Sequence, residues 1–331
     1  MPRIITLGEV MMRLTPPNFA RLSQVSSFDV TFGGGEANVA MSLADFGFEA
    51  AHVTRFPDHA LGHRAARFLR ERGLDTQTLV FGGNRIGTYY LEEGASIRAS
   101  QIVYDRQYSA FSEMRPGMID WETVLHGATW FHWAGITPAL SQGCADVCLE
   151  AVQTAKRLGV KVSGDIFYRA NLWQYGKTPQ EIIPELARHT DLVNASKGVL
   201  ELLFGIQATD FTDACQQLQA AYPSVRWLAD TERTQHSATH NDLSATLWNG
   251  TTLIQSPTFT MNPIVDRIGG GDAFVAGLIY GLTQFDDEQR ALTFAVAASA
   301  LKHTITGDAN DCTVAEVEAI AAGQTSGRIK R

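Results

Sequence analysis

The chain has 331 residues, 45% of them hydrophobic and 19% charged, enough for a large buried core and for one big α/β domain or two ordinary ones. Lys and Arg number 27 against 35 Asp and Glu, a formal charge of −8; this argues against nucleic acid as the main partner and makes any polyanionic ligand depend on a helix N-terminus, a metal ion or a few placed arginines. Four scattered cysteines, Cys144, Cys148, Cys215 and Cys312, read as buried thiols in a reducing cytoplasm, and no apolar run nears the roughly 18 residues of a membrane span.

In chain order, residues 3–7 read as a buried strand ending at Gly8, and Pro16-Pro17-Asn18 as a break. Phe32-Gly33-Gly34-Gly35 reads as a turn feeding a helix over about 36–46, with Val39, Leu43 and Phe46 on one face and Gly47 as its stop. A strand over 51–56 and a helix over 62–72 follow. From 76 to about 109 short alternating runs separated by glycines read as β-hairpins. Strand and helix then alternate: strand 130–133, helix 143–158, strand 160–164, helix 179–188, strand 192–193, helix 211–221, strand 225–228. Residues 244–248 and 252–255 read as an antiparallel pair turning at Asn249-Gly250. Helices over 271–282, 286–302 and 313–322 close the core, and the basic Arg328-Ile329-Lys330-Arg331 end reads as solvated. The alternation implies an α/β fold, a mostly parallel sheet with helices on both faces, and a small β-rich unit.

The segment that carries chemistry is Asp266-Arg267-Ile268-Gly269-Gly270-Gly271-Asp272-Ala273-Phe274, running into a helix. Three glycines before a helix leave no Cβ in the way of a ligand, so backbone N–H groups and the helix N-terminus can hold an anion. Asp272 in that first turn suits a general base beside a bound phosphate; the plainer alternative is a helix-capping aspartate. Gly176-Lys177-Thr178 imitates the end of a P-loop, but Asn171 stands where its first glycine belongs. Gly277 and Gly281 read as a helix-packing pair, and His236 and His240 as polar loop histidines rather than a metal pair.

Gly269-Gly270-Gly271-Asp272-Ala273-Phe274 resembles the C-terminal signature of the ribokinase-like (PfkB) sugar kinases, with Gly270 where Ala is usual. Gly33-Gly34-Gly35-Glu36-Ala37-Asn38-Val39-Ala40 is similar to their N-terminal signature. The resemblance spans the chain. It implies a Rossmann-type three-layer α/β/α core as a single domain over 1–331, with a β-sheet lid formed by about 10–32 and 84–112. It also implies ATP with Mg2+ as phosphate donor, leaves open a monovalent cation, and implies a homodimer through the lid. The amides of Gly269, Gly270 and Gly271 would hold the phosphoryl group while Asp272 takes the acceptor proton.

Gly8-Glu9, Tyr89, Tyr104-Asp105-Arg106 and Asp165-Ile166-Phe167-Tyr168-Arg169 look like the 2-keto-3-deoxygluconate kinases within that family. The substrate set so implied is Glu9, Gly33, Gly34, Asn38, Tyr89, Tyr104, Arg106, Arg169 and Asp272. A sugar acid brings a carboxylate, which suits a guanidinium in bidentate geometry, so Arg106 and Arg169 are its candidates. The nucleotide set is Ser196, Thr231, Arg233, Gly269, Gly271, His303 and Asn310, and the metal ligands are unassigned. The alternatives are a fructokinase or other sugar kinase, and a ligand-binding protein with vestigial catalysis. Three departures stand out. Phe167 replaces an Asn whose sugar contact is lost or passes to Asn171. Ser196-Lys197-Gly198-Val199 replaces the Asn-x-x-Glu that holds the magnesium water shell, with Asn194 and Glu201 flanking it, so Lys197 becomes a candidate phosphate contact. A glycine-poor loop, 229–237, follows the 225–228 strand.

Overall fold

The structure is a computed structural model that describes residues 1–324; the basic end at 328–331 lies outside the described residues. Its main sheet places six parallel strands in the order Glu49–Val53, Arg3–Leu7, Trp130–Ala134, Lys161–Asp165, Leu192–Asn194 and Trp227–Ser237. His240–Trp248 then pairs antiparallel, followed by Leu253–Gln255 and Phe259–Met261 on its far side. The central strands are buried almost throughout, Trp130–Ala134 at every residue. Continuous apolar strands of this kind need cover on both faces.

One face packs Gly35–Asp45, Gly270–Gln284 and Glu288–Lys302, whose Val39, Leu43, Phe274, Ile279, Leu292 and Phe294 share a core with Trp130 and Leu247. Each such large apolar side chain contributes roughly 1.5–3 kcal/mol by leaving water. Gly277 and Gly281 let the backbone of Ala295 and Ala291 approach closely, so that pair is helix packing as read. The other face packs Gln142–Arg157, Pro179–Ala187, Lys197–Phe204 and Phe211–Ala221 through Val152, Ile183, Leu200 and Leu218. The four cysteines are buried and free. Among the described residues no helix is long and apolar enough to cross a membrane.

The expected loop over 229–237 is instead strand. Trp227–Ser237 runs on into a long hairpin, registered from Leu228↔Trp248 to Gln235↔Asn241. Its partner alternates buried and half-buried residues, so the ladder and not local turn chemistry sets the conformation. His236 and His240 therefore flank a hairpin tip, and with Asp242 their ligand atoms lie within 4.8 Å of one another.

A second sheet has the order Asp29–Gly33, Met11–Thr15, Thr88–Glu92, Gln101–Asp105, with a parallel pairing at its centre. Its Met11, Tyr89 and Leu91 pack with Ile268. The small sheet thus lies against the glycine segment at the carboxyl edge of the parallel strands, the edge where open α/β sheets bind ligands.

Candidate active site

The helix Gly270–Gln284 begins at Gly269, whose φ of 82° is left-handed. A Cβ there would also lie 1.9 Å from the Asp308 carbonyl oxygen, so only glycine fits. The Gly270 amide turns back to the Arg267 carbonyl at 3.4 Å. The next two amides, of Gly271 and Asp272, belong to a first turn that has no i−4 carbonyl within the helix to bond. The helix start is thus a candidate anion site in which the Gly270 amide is already turned back on the chain. Gly271 is exposed at this end.

Asp272 is half-buried, and its Oδ2 accepts from Asn38 Nδ2 at 2.7 Å. The N-terminal glycine segment so meets the C-terminal one across the site. Burial pushes the Asp272 carboxyl up to about 8, with Asp165, Asp308 and Glu36 adding like charge and the Asn38 bond opposing. A carboxyl of raised pKa is, once ionised, a stronger base than an ordinary aspartate, and this one stands in the first turn of the helix.

Arg13 ties the small sheet to this end. Its Nη1 reaches Asp308 at 2.7 Å, its Nη2 reaches Asp266 at 2.7 Å and Glu93 at 3.3 Å, and its Nε donates to Thr15. Asp266 also accepts from the Ile268 and Gly307 amides. Beneath the sheet Arg106 puts Nε and Nη2 on Glu9 Oε2, the former at 2.8 Å. Glu9 Oε1 is buried with no partner. Glu36 accepts from Thr137 at 2.6 Å, and burial lifts its carboxyl to about 7.

The model of the pfkB family carbohydrate kinases matches residues 1–315. The chain belongs to that family. It is 30% identical over 324 residues to the 2-dehydro-3-deoxygalactonokinase of Haloferax volcanii, covering 98% of each chain. It is 27% identical over 316 residues to Fructokinase-1 of Oryza sativa subsp. japonica, covering 92% of each. The crystal structure of 2-dehydro-3-deoxygluconokinase from Thermotoga maritima superposes with a TM-score of 0.93 at 40% identity, covering 98% of this chain and 100% of that one. The ribokinase-like α/β reading of the fold holds.

For this carbohydrate kinase the geometry gives partners to several of the expected site residues. Tyr89 is buried and donates its hydroxyl to Asp308 Oδ2, which leaves that oxygen only as an acceptor. Gly33 and Gly34 are covered by the Asp308 carboxylate and the Glu9 carbonyl respectively. Arg106 is engaged by Glu9, because both charges are buried and each needs the other. Tyr104 is 53% exposed and lies tilted beside Tyr89, with the Arg106 guanidinium 5.8 Å from its ring centre. Arg169 is exposed, over the Phe167 ring at 5.4 Å.

On the nucleotide side Ser196 caps the helix Lys197–Phe204 with its hydroxyl, and Lys197 pairs with Glu201 at 2.6 Å. Thr231 is half-buried and Arg233 exposed on the hairpin strand. His303 and Asn310 are buried. His303 donates to the Ser299 carbonyl at 2.7 Å, and Asn310 accepts from Cys312 at 2.9 Å while its Nδ2 is buried without a partner. Sequence reasoning missed Arg13, Asp266, Lys302 and Asp308 as parts of one charged cluster, and Glu36 as a buried carboxyl beside it. The signal for three of them was present, in the Glu36 of the first glycine segment, the Asp266 before the second, and Gly307-Asp308.

Proposed function

We propose that this kinase transfers the γ-phosphoryl group of Mg-ATP to the terminal hydroxyl of a 2-keto-3-deoxy sugar acid, most simply 2-keto-3-deoxygluconate giving its 6-phosphate. The observation that carries the proposal is Asp272 itself, a carboxyl of raised pKa in the first turn of a glycine-started helix and oriented by Asn38. Asp272 takes the hydroxyl proton; the hydroxyl oxygen bonds the γ-phosphorus as the bond to the β–γ bridging oxygen breaks, and ADP leaves. The Gly271 and Asp272 amides meet the charge on the transferring group, where fixed donors act most strongly.

Oxygen donors suited to magnesium line the same sheet edge. Asn194 Oδ1 is buried without a partner, Asn194 Nδ2 bonds Asp165 at 2.7 Å, and Asp230 faces the Lys197 amide. Asp165, Asn194 and Asp230 would hold the ion or its waters, in place of the missing Asn-x-x-Glu. When bound, magnesium neutralises phosphate charge.

For the acceptor, Arg169 offers an exposed guanidinium to the carboxylate, and Glu9 Oε1 an unpartnered oxygen to a sugar hydroxyl. The names of two relatives support an acid of this class. Exposed Val30, Val103, Tyr104 and Tyr108 on and beside the small sheet support its role as a lid that pairs in a homodimer. ADP release is measured over 2-keto-3-deoxygluconate, 2-keto-3-deoxygalactonate and fructose. The acids are expected to be preferred, and Arg169→Ala to raise KM for the acid by roughly tenfold or more, as for a lost charged hydrogen bond. Preference for fructose, unaltered by Arg169→Ala, would overturn the acid reading.

A further inference from the structure

Lys302 is the last residue of the helix Glu288–Lys302 and is fully buried, at 0% exposure. Its ammonium donates to the Ile305 carbonyl at 2.9 Å. Its Cε lies 3.3 Å from where a Cβ on Gly269 would sit, so the side chain passes directly under the start of the anion hole. The neighbouring charges are Asp266, Asp308, Arg13 and, more weakly, Asp272.

An ammonium taken wholly from water costs several kcal/mol unless charges and carbonyls receive it. Arg13 alone does not balance the buried carboxylates of Asp266 and Asp308, both of which it touches at 2.7 Å. A second positive charge does. It also faces the carbonyl end of its own helix, which favours a cation. A site with the Ile305 carbonyl at hand and the charges of Asp266 and Asp308 nearby, behind the start of the glycine helix, is one that an alkali cation could fill. Here the chain fills it with its own side chain.

We infer that Lys302 is the built-in cation of the anion hole, holding the 303–310 loop against Gly269 and adding positive potential behind the phosphoryl site, so that the enzyme needs no monovalent cation there. An added ion would meet the charges of both Lys302 and Arg13. The inference rests on the kinase reading of the site, and Lys302 acts as a positioning residue because it reaches the phosphoryl group only through the Gly269 segment.

The test follows ADP formation by the full chain with magnesium, ATP and the preferred acid, in a buffer whose monovalent cation is tetramethylammonium, then with Na+, K+ or NH4+ added. The wild-type rate is expected to stay within about twofold across the series, as for screening alone. Lys302→Ala, checked for folding by circular dichroism, is expected to lose about tenfold or more in kcat, one contact's worth of transition-state stabilisation. Adding NH4+ or K+ should restore part of that loss, and tetramethylammonium should not. Wild-type activation by K+, or a folded Lys302→Ala variant that keeps its rate or responds to no small cation, would overturn the inference. If Lys302→Ala does not fold, the wild-type series decides alone. Absence of ADP formation by wild type under every cation would reject the kinase reading instead, a distinct outcome.

Discussion

Replacing Gly270 by alanine places a Cβ 2.5 Å from His303 Cε1 and 3.1 Å from Nε2. Both are well inside carbon contact distance, so the ring must move. The ring is not free to do so: His303 Nδ1 is bonded to the Ser299 carbonyl at 2.7 Å, and the Ser299 hydroxyl to the Gly270 carbonyl at 2.7 Å. Overpacking of this kind costs about 1–3 kcal/mol, and loss of the His303 bond adds about 1 kcal/mol. The alanine regains roughly 0.5 kcal/mol at most of helix propensity at this first position. Gly270→Ala is therefore expected to destabilise by about 1.5–3.5 kcal/mol. His303→Ser in the same chain should recover most of that, with a coupling of roughly 1–2 kcal/mol in the cycle. Urea denaturation of the four proteins, compared at equal m, reads both numbers. A Gly270→Ala variant as stable as wild type, or penalties that simply add, would refute the steric link between the two residues.

Two further substitutions test the buried charges. Arg13→Met strands the buried carboxylates of Asp266 and Asp308, and is expected to cost about 3–5 kcal/mol in urea denaturation. Glu36 has a folded value of about 7 against an ordinary 4.5. Between those values the folded chain holds a proton that the unfolded chain has lost. The Glu36 contribution to stability is therefore full below pH 4.5 and declines as pH rises to about 7. Glu36→Gln should flatten that decline in Tm; an unchanged slope would place the titration elsewhere.

The fold was largely legible because its signals are local. Buried apolar strands such as that at Arg3–Leu7, and glycine stops such as Gly47 and Gly73, with φ of 87° and 81°, carry their own instructions. The glycine helix start was legible for the same reason. What was not legible depends on partners distant in sequence. The 229–237 segment looks like a loop until His240–Trp248 is laid beside it. Arg13 has no visible role until Asp308, 295 residues later, reaches it. Arg106 looks like a free ligand for a carboxylate, yet Glu9, 97 residues earlier, already engages it. Gly270 looks like a permissive departure from alanine, whereas the His303 ring excludes a methyl group there.

The central claim is that Asp272 removes the acceptor proton beside the helix amides. Its most direct test is kcat/KM for ADP formation against pH, for wild type and Asp272→Asn, with ATP affinity measured by calorimetry. Wild-type kcat/KM should rise as pH passes through about 8, where the Asp272 carboxyl ionises. Asp272→Asn should lose about 10²–10⁴-fold, lack that limb, and bind ATP as wild type does. A folded Asp272→Asn enzyme within about tenfold of wild type, with the same pH limb, would contradict the account.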